Sequence, residues 1–500
     1  MKEKVYDIVI IGSGAGGGTV AKELGALAAS GARVALLEWG PELTAGDYTG
    51  RELDMARKLY VDSGGLLTRD GTLTLAMGRA LGGSTVVYTG TSLVMPERVV
   101  NRWAVPGLHA EDLQRRSHKY LEENNVHLQD ERDLNENNLL FAQACRRLGY
   151  GVHQFPINVK DCKGSSLCNL GCPHGAKQGT HRVQIPEARR RGVEVVTHCR
   201  VTHIGDRWCE ALVRPWGYGY PSAWEPGIYK VRAKVIVVCC GAVHSPALLL
   251  RSRLPVDLPA LGRYLTLHPA LILVGEHPRP ITNFYGHPKS FYCDHFMESH
   301  RFLLETCMYF PFTTAKNLIG FGPQHSRMMH RMDRMQMILA LALDPALPEN
   351  RVRVDRRGTP VVDYRLTPPV LDSLHEAMKA SARIFFEAGA VRVHAPAGRI
   401  FSLGVECGDR LDHWIPRRKV QPGRISVSSA HLMGGCRMGT SPSDSVTDGW
   451  GQVHGVPWLF VADSSLFPRC SEVNPYITVM ALADRVAEGI RQRSQELCAS

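Results

Sequence analysis

Three sets of residues in this chain could do chemistry: glycines spaced to cradle a phosphate, cysteines spaced to hold a metal, and a histidine and an asparagine set beside turns near the end. Gly12, Gly14 and Gly17 stand in G-x-G-x-x-G order between an apolar run, Ile8 to Ile11, and a helix-like stretch reaching about Ala29. In that setting Gly12 permits the tight turn, Gly14 lets backbone approach a pyrophosphate, and Gly17 lets the helix close on the strand. Ala15 is a cofactor-binding candidate beside these glycines, and the unpaired N–H groups at the helix N-terminus favour an anion. A second strand, Arg33 to Leu37, ends on Glu38, at the distance expected of a carboxylate that takes the hydroxyls of an adenosine ribose. The whole unit reads as dinucleotide binding.

A second glycine turn follows at Met77-Gly-Arg-Ala-Leu-Gly-Gly-Ser-Thr85. Gly78, Gly82 and Gly83 let backbone pass close to a flat ring or a phosphate, and Ser84 offers a hydroxyl. Two such turns suit something larger than a nicotinamide cofactor. Cys162, Cys168 and Cys172 are spaced C-x5-C-x3-C in a loop rich in Gly, Ser and Pro. Three thiolates in a loop suit an iron–sulfur cluster or zinc, with His174 nearby for the latter. Near the end, His431 precedes a glycine turn, the strand Trp458 to Asp463 ends on an acid, and Asn474-Pro475 opens a final helix to about Arg491. As an ordinary start signal, Asn474 would cap that helix.

The elements that must position these groups read as α/β. Strands at Val193 to Thr197 and Lys234 to Cys240 resume the nucleotide unit, the second running into Gly241-Ala-Val-His-Ser-Pro246 and an apolar helix. After Pro280 the texture turns to antiparallel sheet: Met335, Met337, Leu339, Leu341 and Leu343 alternate, and residues 371 to 386 form a helix with Leu371, Leu374, Met378 and Phe385 on one face. Met328, Met332 and Met335 suit a core stripe. With 500 residues, two joined domains are expected. Their segments are 1–95, 190–280 and 420–500 for the nucleotide domain, 96–189 for a helical segment with the cysteine loop, and 281–419 for a substrate domain.

A hydrophobic content of 44% and a charged content of 21% are those of a soluble globular enzyme. No apolar run approaches the roughly 20 residues of a membrane span. A net charge of +11 comes without any nucleic-acid-binding motif, so nucleic acid is not an expected partner; the basic groups suit solvated faces, or peripheral docking on an acidic redox partner or membrane surface. Fourteen cysteines are too sparse for a disulfide scaffold. With no leader pattern ahead of the first strand, cytoplasmic residence is the default expectation, and export beside a signal-bearing partner into the periplasm is the alternative.

Over essentially its whole length the chain resembles the glucose–methanol–choline (GMC) oxidoreductase family. Four blocks carry the likeness: Gly12 to Glu38; Gly78 to Thr85; Gly241 to Pro246 with Leu249 and Leu250; and His431 to Gly439 with Asn474-Pro475-Tyr-Ile-Thr478. The resemblance implies FAD in a Rossmann-like domain, roofed by an α+β substrate domain on an antiparallel sheet. It implies that Glu38 meets the adenosine ribose, that the backbone of Val201 lies at the adenine, that Asp463 sits near the ribityl–pyrophosphate, and that Gly241 and Pro475 line the cofactor. The family's catalytic pair falls on His431 and Asn474. Tyr88, where relatives carry Asn or His, and Ser252-Arg-Leu-Pro255 depart from the family pattern. With no histidine between Gly82 and Thr91, non-covalent FAD is expected.

The cysteine loop, with Cys172-Pro-His-Gly-Ala-Lys177, is similar to that of the catalytic subunits of bacterial FAD-dependent glucose dehydrogenases, whose thiolates hold a [3Fe–4S] cluster; long-chain alcohol oxidases carry a related loop. The likeness implies cluster ligands at Cys162, Cys168 and Cys172, a small companion subunit and a cytochrome acceptor subunit. The expected activity is oxidation of an alcohol, sugar hydroxyls included, to a carbonyl by hydride transfer to the flavin. Long-chain or sterol-like alcohols form the second substrate class, and a flavin-binding protein or lyase without net redox chemistry is the third reading.

Overall fold

The computed structural model describes residues 1–318, 320–397 and 401–499. Its organising element is a seven-stranded sheet in the order Glu194–Val196, Val34–Leu37, Lys2–Ile11, Gly227–Val238, Trp208–Val213, Cys199–Gly205, with Leu459–Val461 also pairing Gly227–Val238. Lys2–Ile11 runs parallel to Val34–Leu37 and to Gly227–Val238, which in turn runs parallel to Leu459–Val461. Ile8–Ile11, Val34–Leu37, Val235–Val238 and Leu459–Val461 are buried on both faces, which is why they read as unbroken apolar runs rather than alternating ones. Parallel strands share a direction, so their carboxyl ends deliver Gly12, Glu38, Gly241 and Asp463 to one edge of the sheet.

The first helix is Ala15–Ala29. It lies so close to its strand that a Cβ at Gly17 would stand 1.8 Å from the Gly12 carbonyl oxygen. The excursion after residue 198 is an antiparallel meander of three strands.

A ten-stranded sheet roofs this layer, with Ala270–Glu276, Met335–Ala342 and Phe302–Thr306 antiparallel at its centre. Ile338, Ala340 and Ala342 pack in one core with the helix Pro368–Glu387. Met335, Met337, Leu339 and Leu341 form the opposite face, where Met328 and Met332 join them as core residues. The alternation read from the sequence thus separates the helix side from the cavity side. Ala270–Glu276, Leu73–Leu75 and Val427–Ser429 all belong to the roof sheet, so it draws on more of the chain than 281–419. Three helices, Glu97–Trp103, Ala110–Glu123 and Glu136–Arg147, fill the segment ahead of the cysteine loop. Among the described residues no helix is long and apolar enough to cross a membrane.

Candidate active site

A cavity of about 500 Å³ runs between the two sheets. Arg200 and Val201 line one end, and Glu38, the Gly12–Gly16 turn, Gly83, Ser84 and Asp463 line its length; His431, Asn474 and Pro475 line the other end. Both glycine turns meet there. The Gly82 N–H donates to Ser13 Oγ at 2.9 Å, and a Cβ on Gly83 would lie 2.8 Å from Gly14 Cα. Ser13 donates from its N–H (3.0 Å) and its Oγ (2.5 Å) to one oxygen of Glu38, and the Gly40 N–H donates to the other at 2.6 Å. Asp463 is fixed likewise, accepting from Gly241 N–H (2.8 Å), Ser245 Oγ (2.5 Å) and Ser465 N–H (2.7 Å). Burial pushes both carboxyls above the usual range.

These residues fit FAD. The helix Ala15–Ala29 has no side-chain cap, so its first N–H groups are free to meet a pyrophosphate. Glu38 and Asp463 would offer carboxylate oxygens to the hydroxyls of a ribose and a ribityl chain, and the glycines leave the cavity walls without side chains.

The far end is built by two loops. The short strand Leu432–Met433 pairs antiparallel with Thr266–Leu267, which sets His431 beside His268. Their Nδ1 atoms are 2.9 Å apart, and His268 Nε2 lies 2.9 Å from Cys470 Sγ. Asn474 caps nothing: the helix Tyr476–Gln492 takes Pro475 at its N-cap, and the Asn474 amide turns into the cavity instead. Its Nδ2 donates to Glu305 Oε1 at 3.1 Å and stands 3.5 Å from His431 Nε2. Glu305 is fully buried and pairs with the buried Lys289 ammonium. Desolvation pushes the His431 pKa well below the usual imidazole value, with further lowering from His268 and Lys289. His431 is therefore a neutral imidazole with Nε2 facing the cavity.

His268, Cys470, Lys289 and Glu305 escaped the sequence reading. Glu305 had a signal, a lone acid inside the apolar run Phe302-Leu-Leu-Glu-Thr306; Cys470 had none.

The structure lends the cysteine loop no support as a metal site. Among the described residues no three His, Cys, Asp or Glu side chains converge to hold a metal ion. Cys162 is exposed, Cys168 and Cys172 half-buried, all free thiols. Desolvation pushes the metal-free Cys168 thiol up to about 12 and raises Cys162 as well. An iron–sulfur cluster is thus not supported at this loop. Lys177 gives the loop another role. Its buried ammonium donates to the carbonyls of Val86 (2.7 Å), Tyr88 (2.7 Å) and Cys168 (2.5 Å), tying the exit of the second glycine turn to the loop. Tyr88, the family departure, lines the cavity edge-on to Tyr476 with ring centroids 4.9 Å apart.

Comparison with known proteins agrees with this architecture. An uncharacterised GMC-type oxidoreductase of Mycobacterium tuberculosis is 32% identical over 491 residues, covering 96% of this chain and 75% of that one. A long-chain-alcohol oxidase of Arabidopsis thaliana is 28% identical, covering 98% and 68%. The crystal structure of pyridoxine 4-oxidase from Mesorbium loti superposes with a TM-score of 0.72 over 97% of this chain and 99% of that one, at 19% identity. At that identity the likeness is one of fold. Residues 56–270 match the N-terminal model of the GMC oxidoreductases and residues 346–483 the C-terminal one, and with a relative above 30% identity along nearly its full length, this chain belongs to the GMC oxidoreductase family.

Proposed function

We propose that this enzyme oxidises an alcohol with a largely apolar body to its carbonyl. The observation that carries the reading is the pairing of a neutral His431 Nε2 with the Asn474 amide at the end of a cavity whose roof is Ala270, Ile272, Leu339 and Leu341 and whose side is Met308 and Phe310. Bound FAD supplies the acceptor for a hydride from the carbinol carbon.

The chain's own residues handle the hydroxyl. Its oxygen lodges between His431 and Asn474, the second amide N–H of Asn474 holding it while His431 Nε2 takes its proton; a neutral base is matched to this task near pH 7. Glu305 keeps the amide from turning away. The roof excludes water and packs against the alkyl body, which favours a long-chain alcohol over a sugar, since a sugar's hydroxyls would be left unpaired against Ile272 and Leu339. The Arabidopsis relative, by its name, acts on such alcohols.

Anaerobic mixing of the FAD-loaded enzyme with a series of straight-chain alcohols and a series of sugars tests this. Bleaching of the flavin should be faster with the alkyl series and should strengthen with chain length; faster bleaching by sugars would overturn the reading.

A further inference from the structure

We propose that His268 and Cys470 determine which ring nitrogen of His431 is bare, making both of them positioning residues for proton acceptance; the inference rests on the alcohol-oxidation reading above. The contacts form one unbranched chain. His431 Nδ1 meets His268 Nδ1 at 2.9 Å, and His268 Nε2 meets Cys470 Sγ at 2.9 Å. All three side chains sit away from bulk water, His268 and Cys470 being buried and His431 opening only on the cavity.

Two ring nitrogens at hydrogen-bond distance share one proton, so the chain has two polarities. In one, the Cys470 thiol donates to His268 Nε2, His268 Nδ1–H donates to His431 Nδ1, and the His431 proton is forced onto Nε2. That nitrogen then faces the hydroxyl already protonated and cannot act as a base. In the other, His431 Nδ1–H donates to His268 Nδ1, His268 Nε2–H donates to the sulfur, and His431 Nε2 is bare. A neutral His268 is required in both, and burial pushes its pKa down to about 4.

Two observations select the second polarity. The Asn474 amide nitrogen, a donor, stands 3.5 Å from His431 Nε2 and favours a lone pair there. At the other end, the backbone of Glu472 and Asp344 beside Cys470 offsets part of the rise that burial gives its thiol pKa, the effect of donors near an accepting sulfur. Burial holds Cys470 as the thiol, pushed up to about 12, and sulfur lone pairs accept weakly. Cys470 and Asn474 lie on one loop, so the same segment fixes both the amide that holds the hydroxyl and the far end of the chain that orients the base.

Without an acceptor at residue 470, the His268 Nε2–H would be buried and unpaired, and moving the proton to Nδ1 relieves that. This reverses the chain and blocks His431. Cys470→Ala should therefore slow anaerobic flavin reduction by roughly 10- to 100-fold, a share of what a positioned base contributes, while the alcohol dissociation constant read from the same stopped-flow titration stays within about 2-fold. Cys470→Ser restores an acceptor and should recover most of the rate. Nitrogen-15 spectra of selectively labelled histidines report the tautomer directly: His431 Nε2 should be pyridine-like in the FAD-loaded wild type and pyrrole-like in Cys470→Ala, assigned with His431→Gln.

A wild-type His431 whose Nε2 is pyrrole-like would overturn the inference, as would a Cys470→Ala enzyme with unchanged rate and tautomer, or a Ser variant as slow as the Ala one. Should no alcohol bleach the wild-type flavin, the substrate reading fails on its own, while the nitrogen spectra still decide this one.

Discussion

Asn474 and Glu305 face each other at 3.1 Å, the amide nitrogen donating to a fully buried carboxylate whose second oxygen is held by Lys289. The pair leaves one amide N–H for the cavity and gives Asn474 a fixed orientation that helix capping would not have given it.

Glu305→Gln removes the charge from that hydrogen bond. Bonds to charged groups contribute about 1.5–3 kcal/mol, so flavin reduction should fall roughly 10- to 100-fold with FAD still bound. Lys289→Met instead strands a buried carboxylate and should cost about 3–5 kcal/mol of stability, whereas replacing both partners with apolar residues should recover much of it. Denaturant midpoints of the single and double variants check this; equal losses in both would show that the ion pair is not the source.

Histidine burial sets the acid limit. Burial pushes His244, His268 and His287 down to about 4, and His431 well below its ordinary value. Unfolded, each takes a proton near pH 6.5. The unfolded chain therefore binds more protons as pH falls, and stability drops between about pH 6.5 and 4 by up to roughly 1.4 kcal/mol per pH unit per histidine. Above pH 7 these groups have no effect. Denaturation midpoints at pH 7, 6 and 5 should show the slope, and His244→Asn should flatten it. The flavin-reduction rate should stay level through pH 6.5 rather than fall by half there.

Two glycine substitutions should behave differently. Gly17→Ala places a methyl 1.8 Å from the Gly12 carbonyl oxygen, backbone that cannot give way, so this variant should be recovered without flavin or not fold. At Gly241 nothing lies within 4 Å of an added Cβ, but φ is +79°, and the left-handed strain of about 1–2 kcal/mol should yield a folded, destabilised protein. Absorbance at 450 nm per protein and the melting temperature separate the two.

Glu52 latches the cavity mouth. Its carboxylate accepts from Phe312 N–H (2.7 Å), Thr313 N–H (2.9 Å) and Thr313 Oγ1 (2.6 Å), joining the helix Glu52–Leu59 to the N-terminus of Pro311–Asn317. Glu52→Ala should loosen this contact, speeding limited proteolysis between 311 and 318 and raising the KM for long alcohols several-fold more than for short ones. A uniform KM change would count against a role at the mouth.

The nucleotide layer was legible from residue order because its signals are local. Gly12, Gly14, Gly17 and Glu38 act through backbone conformation and strand ends, and consecutive buried strands announce themselves as apolar runs. The alternation at Met335 to Leu341 likewise gave the two-sided roof. The active end was legible only in part. His431 and Asn474 could be named through resemblance, but 43 residues of separation say nothing of a 3.5 Å approach, and Asn-Pro reads locally as a helix cap. His268, Cys470, Lys289 and Glu305 come from distant strands and loops whose meeting depends on sheet register and on how the roof sits over the nucleotide layer. The thiol spacing meets the same limit: spacing allows three sulfurs to converge, but whether they do depends on how the loop packs around Lys177, and no metal-holding group forms among the described residues.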